Sequence, residues 1–312
     1  MDISVIIVNY NHCNLLKDCV ESLISFTEDV TYEVIIVDNN STECYPQNVI
    51  PRSENILLIQ NEENVGFSKA NNQGLKYAKG KYILFLNNDT VFIENTLKKI
   101  YDLAESLNNP SVIGCKLLNE DKSNQISIGM FDTLWYSISV DLFFYKLFPR
   151  SKIFNRFYLN YLDFSEPTEV DFVKGAFLFC DRNSVEKLKG FDEQFYFYGE
   201  EVDFCYRFKK GIGKVIYYPK AKIVHLGGAT ADTNLLFKYE NLTKGKIQFY
   251  QKHFKGIQKF LAVFFHYFGV FIRIPIYLLG GILSLKKSLI IKSWFYLRQL
   301  FVYPKNNFTT SV

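Results

Sequence analysis

The sequence predicts an α/β fold, a doubly wound and mostly parallel sheet with helices on both faces, followed by a basic, apolar helical tail. Three observations predict it. The first third alternates short apolar runs with amphipathic stretches. Two of the apolar runs end in polar clusters, "VDNNS" and "LNNDT". Residues 244–312 hold eleven of the 36 Lys and Arg residues and none of the 32 Asp and Glu.

Taken in order, "SVIIVNY" (4–10) reads as a buried parallel strand. "NLLKDCVESLISF" (14–26) places Leu15, Leu16, Cys19, Val20, Leu23 and Ile24 at helical spacing, and "YEVIIVDNNS" (32–41) is a second strand, completing a β-α-β unit. A third strand lies in "ILLIQNEENVGF"; "SKANNQGLKYAKG" is a helix with Ser68 as its N-cap, and "KYILFLNNDT" is a fourth strand. A helix over 94–107 and a short strand near 112–118 follow. The aromatic stretch 119–168 yields no element assignment. Regular patterning resumes at 169 with "EVDFVKGAFLFCDR", "GFDEQFYFYGEEVDFCYR", "KVIYYP" and "KIVHLGGAT".

A 312-residue chain that is 48% apolar is not a disordered one. Its six cysteines form no CxxC pair, and "MDISVIIVNYN" does not resemble a signal peptide, so a reduced, cytoplasmic chain is expected. The net charge of +4 conceals an acidic body and a basic tail, which points the tail at an anionic surface. Nucleic acid is excluded as that partner, because "FLAVFFHYFGVFIRIPIYLLGGILSL" (260–285) is too apolar for a phosphate-tracking arm. The segment is long enough to cross a bilayer, but His266, Arg273 and Pro275 interrupt it. An amphipathic or re-entrant segment in the membrane interface, flanked by Lys252, Lys255, Lys259, Lys286, Lys287 and Lys292, is the expectation; a spanning helix and a buried helix pair are the alternatives.

In open α/β sheets ligands bind beyond the carboxyl ends of the strands, so the two polar clusters point to one crevice. Asp38 there would accept hydrogen bonds from a base or ribose, or else form an Asx-turn. "NVGFSKANNQG" puts Gly66 at a tight turn before a helix N-terminus that could face phosphate, although it has neither P-loop nor GxGxxG spacing and also reads as a simple strand-to-helix turn. Asn87 and Asp89 flank one residue and project to the same side of an extended segment, which suits a divalent cation sharing substrate phosphates; a turn is the alternative. His225 is either a structural hydrogen bonder or a metal or phosphate group. In "YGEEVDFCYR", Asp203 and Arg207 form an i,i+4 pair in the favourable orientation, a structural role. Glu200 and Glu201 remain for proton transfer beside the aromatic run Phe195–Tyr198, which could wrap a sugar.

"SVIIVNYN", "VIIVDNNS", "NVGFSKANNQG", "LFLNNDT", "VDFVKGAFL", "GFDEQFYFYGEEVDFCYR" and "VHLGGAT", in this order, resemble the successive signatures of the family 2 inverting glycosyltransferases with a GT-A fold, especially their rhamnosyltransferase-like branch. The resemblance covers residues 3 to about 231. It implies a GT-A domain over 1–243, with a nucleotide-sugar half of about 1–118 and an acceptor half of about 169–243, and a membrane-associated tail over 244–312. It further implies that Asp38 contacts the base, with Asn9, Asn64, Gly66, Asn71 and Asn88 as the other nucleotide-sugar positions. Asp89 and Asn87 stand at the DxD-like metal motif, with Asn replacing the first Asp, and His225 matches a His that helps hold metal or diphosphate. Gly175, Ala176 and Tyr198 fall on the acceptor side. Glu201 stands at the general-base position, where the family has Asp, with Glu200 as its rival.

The implied reaction is an inverting, metal-dependent transfer, with Mn²⁺ or Mg²⁺, from dTDP-rhamnose or a UDP-sugar to a glycan or lipid-linked glycan acceptor in bacterial surface polysaccharide synthesis, at the cytoplasmic face of the membrane. Two rivals stand beside it. A sugar nucleotidyltransferase would need a Gly-rich basic loop that "VNYNHCN" lacks. A non-catalytic, membrane-bound nucleotide-sugar or carbohydrate-binding protein is kept open by Asn87 and Glu201.

Overall fold

Apolar runs without polar alternation belong to strands covered on both faces, and β1 (Ile3–Asn9), β2 (Tyr32–Asp38) and β4 (Tyr82–Asn87) are buried along almost their whole length. The structure is a computed structural model that describes residues 1–148, 150, 151, 153, 154, 165–227 and 235–302. By contacts the chain divides into one unit of 1–130 with 163–233 and a second of 131–162 with 234–312.

The first unit contains β1, α1 (Cys13–Phe26), β2, β3 (Ile56–Gln60), α2 (Phe67–Leu75), β4, β5 (Thr90–Phe92), α3 (Thr96–Ser106), β6 (Ser111–Leu118) and β7 (Ile128–Gly129). The second unit takes α4 (Leu134–Asp141) and α5 (Phe144–Leu147), after which the first resumes with β8 (Thr168–Glu169), β9 (Phe172–Val173), β10 (Phe177–Asp181), α6 (Arg182–Lys187), α7 (Glu200–Gly211) and β11 (Lys214–His225). The sheet order is β3-β2-β1-β4-β10-β6-β11-β5, with β8 on β11; β7 and β9 form a separate pair. β3, β2, β1 and β4 are parallel, as are β6 and β11, and β10 runs antiparallel between these blocks.

Both faces are covered, as expected of a doubly wound sheet. Ile3, Val5 and Ile7 pack with Leu16, Cys19, Val20 and Leu23 of α1 and with Leu97 and Ile100 of α3. On the opposite face Phe85 meets Phe191 and Phe204 at ring-centroid distances of 4.6 and 6.3 Å, and α2 lies so close that a Cβ on Gly74 would be 2.6 Å from Ile6 Cγ2. The parallel register sets Asn9 beside Asp38 and Val8 beside Asn87, so the strand ends converge.

Two local expectations need correction. Ser68 is not the N-cap of α2: Gly66 is, and Ser68 lies inside the helix, its hydroxyl donating to Phe195 O at 2.5 Å. A long-range acceptor has claimed the side chain that local sequence would assign to capping. The cysteines are not all reduced, since Cys13 and Cys44 form a disulfide, while Cys19, Cys115, Cys180 and Cys205 are buried free thiols. The pairing follows from the Asn9–Asp38 register, which brings together the loops after β1 and β2; no spacing rule reveals it.

The second unit adds α8 (Leu235–His253), α9 (Gly256–Leu283) and α10 (Lys287–Gln299) to α4 and α5. His266, Arg273 and Pro275 do not break the apolar segment: α9 is one helix through all three. Arg273 turns inward and donates to Asp141 O at 2.9 Å and Val140 O at 2.8 Å, a cation on the C-terminal carbonyls of α4. His266 is also buried, and Lys246 Nζ lies 3.1 Å from both oxygens of Asp141. The polar interruptions are therefore consumed inside the helical unit. Among the described residues, α9 is the one helix long and apolar enough to cross a membrane.

Candidate active site

The site grows from three consecutive residues, Asn87 at the end of β4 and Asn88 and Asp89 after it, each of which reaches a different partner. Asn88 Nδ2 donates to Asn9 Oδ1 at 2.8 Å, and Asn9 Nδ2 donates to Asp38 Oδ1 at 2.9 Å. Ser41 completes this cluster, its hydroxyl donating to Asp38 Oδ1 at 2.6 Å and its N–H to Oδ2 at 3.1 Å. Asp38 thus forms the Asx-type turn that its sequence context allowed and is also fixed, buried, at the end of its strand.

Asn64, Gly66 and Asn71 gather at the start of α2, next to this cluster. Asn64 Oδ1 accepts from Gly66 N at 3.0 Å, and Asn39 Nδ2 donates to Gly66 O at 3.2 Å. Gly66 has φ 86° and ψ 175°, a region almost restricted to glycine, and an added Cβ would lie 2.5 Å from the Tyr196 ring. The first amide of the helix, Phe67 N, donates to Tyr196 O at 2.9 Å, so protein rather than open space meets the helix start. Asn71 Oδ1 is buried without a hydrogen-bond donor among the described residues.

Asn87 N donates to Ala176 O at 3.2 Å, joining β4 to the Gly175–Ala176 turn. A Cβ on Gly175 would be 3.5 Å from Glu201 Cβ, so the turn lies against that glutamate. Glu200 and Glu201 open α7 and both are buried, each with one carboxylate oxygen that has no hydrogen-bond partner among the described residues. Burial holds the Glu200 carboxyl well above the ordinary glutamate range, and the adjacent Glu201 charge raises it further. Immediately before them Tyr198 has φ 70° and Gly199 φ 94°; a bulky residue in that region is uncommon and marks a site held by its surroundings. Asp203 is fully buried and accepts from Arg207 Nε at 2.7 Å, while the guanidinium also donates to Leu188 O and Gly190 O. This pair is structural, as the spacing predicts.

Asp89 meets His225 because β5 and β11 pair with Thr90 opposite His225. Asp89 Oδ1 lies 3.2 Å from His225 Nε2, yet among the described residues no hydrogen bond reaches this buried oxygen. Nδ1 of the ring lies 2.6 Å from Gln125 Oε1. The chemistry of an unsatisfied carboxylate oxygen facing an imidazole nitrogen fits a Mn²⁺- or Mg²⁺-type ion that takes its remaining ligands from water and phosphate. Asn87 contributes its backbone to the Gly175–Ala176 turn, and among the described residues no three His, Cys, Asp or Glu side chains cluster as a cage. Gly228, Ala229 and Thr230 of "VHLGGAT" lie outside the described residues. Ser41, Asn39 and Gln125 are the residues sequence reasoning missed; Ser41, three positions after Asp38, carried a local signal as an Asx-turn partner, and Gln125 carried none.

Comparison with known proteins gives the same architecture a family. The chain is 26% identical over 231 residues to rhamnosyltransferase WbbL of Escherichia coli K12, covering 71% of this chain and 82% of that protein. It is 32% identical over 121 residues to a poly(ribitol-phosphate) beta-glucosyltransferase of Bacillus spizizenii, covering 36% of this chain but only 19% of the relative. Among solved structures, mannosyltransferase PcManGT from Pyrobaculum calidifontis, in complex with GDP-Man and Mn²⁺, matches with a TM-score of 0.55 at 13% identity, covering 96% of this chain and 86% of that one. TarS of S. aureus matches with a TM-score of 0.50 at 17% identity, covering 83% and 41%. These two likenesses are of fold, and the fold is GT-A-like. The family model "Glycosyl transferase family 2" matches residues 4–188, which contain the strand-end cluster, the helix start and the Gly175–Ala176 turn, and the chain belongs to that family.

Proposed function

We propose that the protein is an inverting glycosyltransferase that moves a sugar from a nucleotide sugar, dTDP-rhamnose or a UDP-sugar, to a hydroxyl of a lipid-linked glycan in bacterial surface polysaccharide synthesis. The observation that carries this reading is the buried Glu200–Glu201 pair beside the Gly175–Ala176 turn, connected through Asn87 to the strand-end cluster of Asn88, Asn9 and Asp38. Asn9, Asp38 and Asn88 would hold the nucleoside, with Asn64, Gly66 and Asn71 lining the neighbouring helix start.

Glu201 is assigned as the general base. Its carboxylate would take the proton of the acceptor hydroxyl as that oxygen bonds to the anomeric carbon and the bond from this carbon to the diphosphate oxygen breaks, inverting the configuration. Glu200, whose carboxyl is pushed well above the ordinary glutamate range by burial and by the neighbouring Glu201, would stand beside it and orient it. Gly175 and Ala176 would position the acceptor, and Tyr198 would provide an aromatic wall against a sugar. Asp89 and His225, with Asn87 nearby, would hold a Mn²⁺ or Mg²⁺ ion, which would neutralise charge on the departing diphosphate.

The second unit supports work at an anionic membrane surface. With His266 and Arg273 turned inward, α9 exposes Phe260, Phe264, Phe268 and Phe271 at helical spacing, and α10 exposes Ile290, Ile291, Trp294 and Leu297. Lys286 and Lys287 lie between them. An apolar face rimmed with lysine suits the interface of an anionic bilayer on the cytoplasmic side, where the nucleotide-sugar donor and the lipid-linked acceptor meet.

The test is nucleoside diphosphate release from a panel of UDP-, dTDP- and GDP-sugars, with Mn²⁺ or Mg²⁺ and a membrane extract, with and without EDTA. Metal-dependent release from one donor, increased by the extract, is expected. Nucleotide binding without release from any donor would instead favour a non-catalytic binding protein.

A further inference from the structure

Gln125 is not part of the strand-end cluster or the glutamate pair, but its side-chain amide lies against the ring of His225. β6 ends at Leu118, the chain reverses so that Leu118 bridges Asn124, and Gln125 N donates to Leu117 O at 2.9 Å. This return brings Gln125 beside the end of β11, a hundred residues away in sequence. Its Nε2 donates to His225 O at 3.0 Å and to Asn119 Oδ1 at 3.0 Å.

Those two acceptors fix the orientation of the amide. Nitrogen must face them, so the atom 2.6 Å from His225 Nδ1 is the oxygen Oε1. An amide oxygen only accepts, and Nδ1 must therefore carry the proton. In the neutral ring the lone pair is then on Nε2, which faces Asp89 Oδ1 at 3.2 Å with no hydrogen bond aligned between them. Two electron-rich atoms held this close call for a positive partner between them, either a metal ion bound by the neutral ring or a second ring proton that makes it an imidazolium.

We propose that Gln125 is a positioning residue that locks His225 in the Nδ1–H tautomer, so that its Nε2 and Asp89 Oδ1 present a preformed pair of ligands to a divalent cation. The role rests on the glycosyltransferase reading, in which that cation lies on the donor's diphosphate. Partners of this kind, behind a ligating histidine, fix both ring orientation and tautomer, and their loss typically costs about 10–100-fold in metal affinity.

The experiment is Mn²⁺ titration of the full chain by calorimetry, with thermal melting and metal-free nucleotide binding to confirm that each variant is folded. Gln125→Leu is expected to weaken Mn²⁺ binding about 10–100-fold. Gln125→Glu, which still accepts from Nδ1 but loses the donations to His225 O and Asn119 Oδ1, should recover part of that loss. Long-range ¹H–¹⁵N NMR of the ring nitrogens adds a readout that a merely structural role would not move. His225 should be the Nδ1–H tautomer in the parent and Gln125→Glu chains, and a mixture in Gln125→Leu. Unchanged Mn²⁺ affinity and tautomer in a folded Gln125→Leu chain would overturn the role of Gln125 alone. Failure of the parent chain to bind Mn²⁺ would overturn the cation reading and this role with it.

Discussion

At the scale of single residues, the two glutamates that open α7 differ in what their surroundings ask of them. Glu201 lies against the Gly175 turn, and Glu201→Gln should lower kcat by about 10²–10⁴-fold while leaving donor binding intact, as steady-state kinetics and nucleotide titration would show. Full activity in that variant would remove Glu201 from the base position. Glu200 makes the opposite kind of prediction. Its carboxyl titrates above its unfolded value because of burial and the neighbouring Glu201. Between those two values the folded chain binds more protons than the unfolded one, so its contribution to stability is complete below the unfolded value and is lost as pH rises through the folded one. Glu200→Gln should therefore raise the melting temperature at neutral pH by a few degrees, and the gain should shrink as pH is lowered towards the ordinary glutamate value.

At the scale of elements, two long-range fastenings fix the site. The start of α2 is held against the 195–196 segment through Gly66, so Gly66→Ala, which adds a Cβ to an almost glycine-only conformation and drives it into the Tyr196 ring, should cost about 1–3 kcal/mol by chemical denaturation. Helix α7 is held by the pair of fully buried Asp203 with half-buried Arg207, whose guanidinium also satisfies Leu188 O and Gly190 O. Removing one partner of such a pair leaves the other charge unanswered, and Asp203→Ala should cost about 3–5 kcal/mol in the same measurement. Both strand-end elements were legible in the sequence, because apolar periodicity and terminal polar clusters are local features. The Asp203–Arg207 pair was legible too, from its i,i+4 spacing, but the fastening of α2 to the 195–196 segment was not, since Ser68 and Phe195 are 127 positions apart and nothing local to either announces the other.

At the scale of the whole molecule, the charge asymmetry visible in composition becomes a surface property of the helical unit. Vesicle flotation should show binding to anionic but not to neutral membranes, released by high salt, with Lys286→Ala and Lys287→Ala each weakening it by about 1 kcal/mol. Equal binding to neutral vesicles would assign the interaction to the phenylalanine and leucine face alone. The disulfide is checked by thiol titration of the denatured, unreduced chain: four free thiols are expected, and six would restore the all-reduced state that the cysteine spacing suggests.

By itself, the sequence determined the α/β class, the order of the early strands and helices, the polar strand ends, the Asp203–Arg207 pair and the family, because each is written in periodicity or motif order along the chain. Only the tertiary structure decided that Cys13 meets Cys44, that α9 runs unbroken with Arg273 answered by carbonyls of α4, and that Asp89 and His225 face each other under the hold of Gln125. In each case the deciding partner lies thirty or more positions away in the chain, brought near by strand register or helix packing, and a local pattern carries no record of a partner that distant.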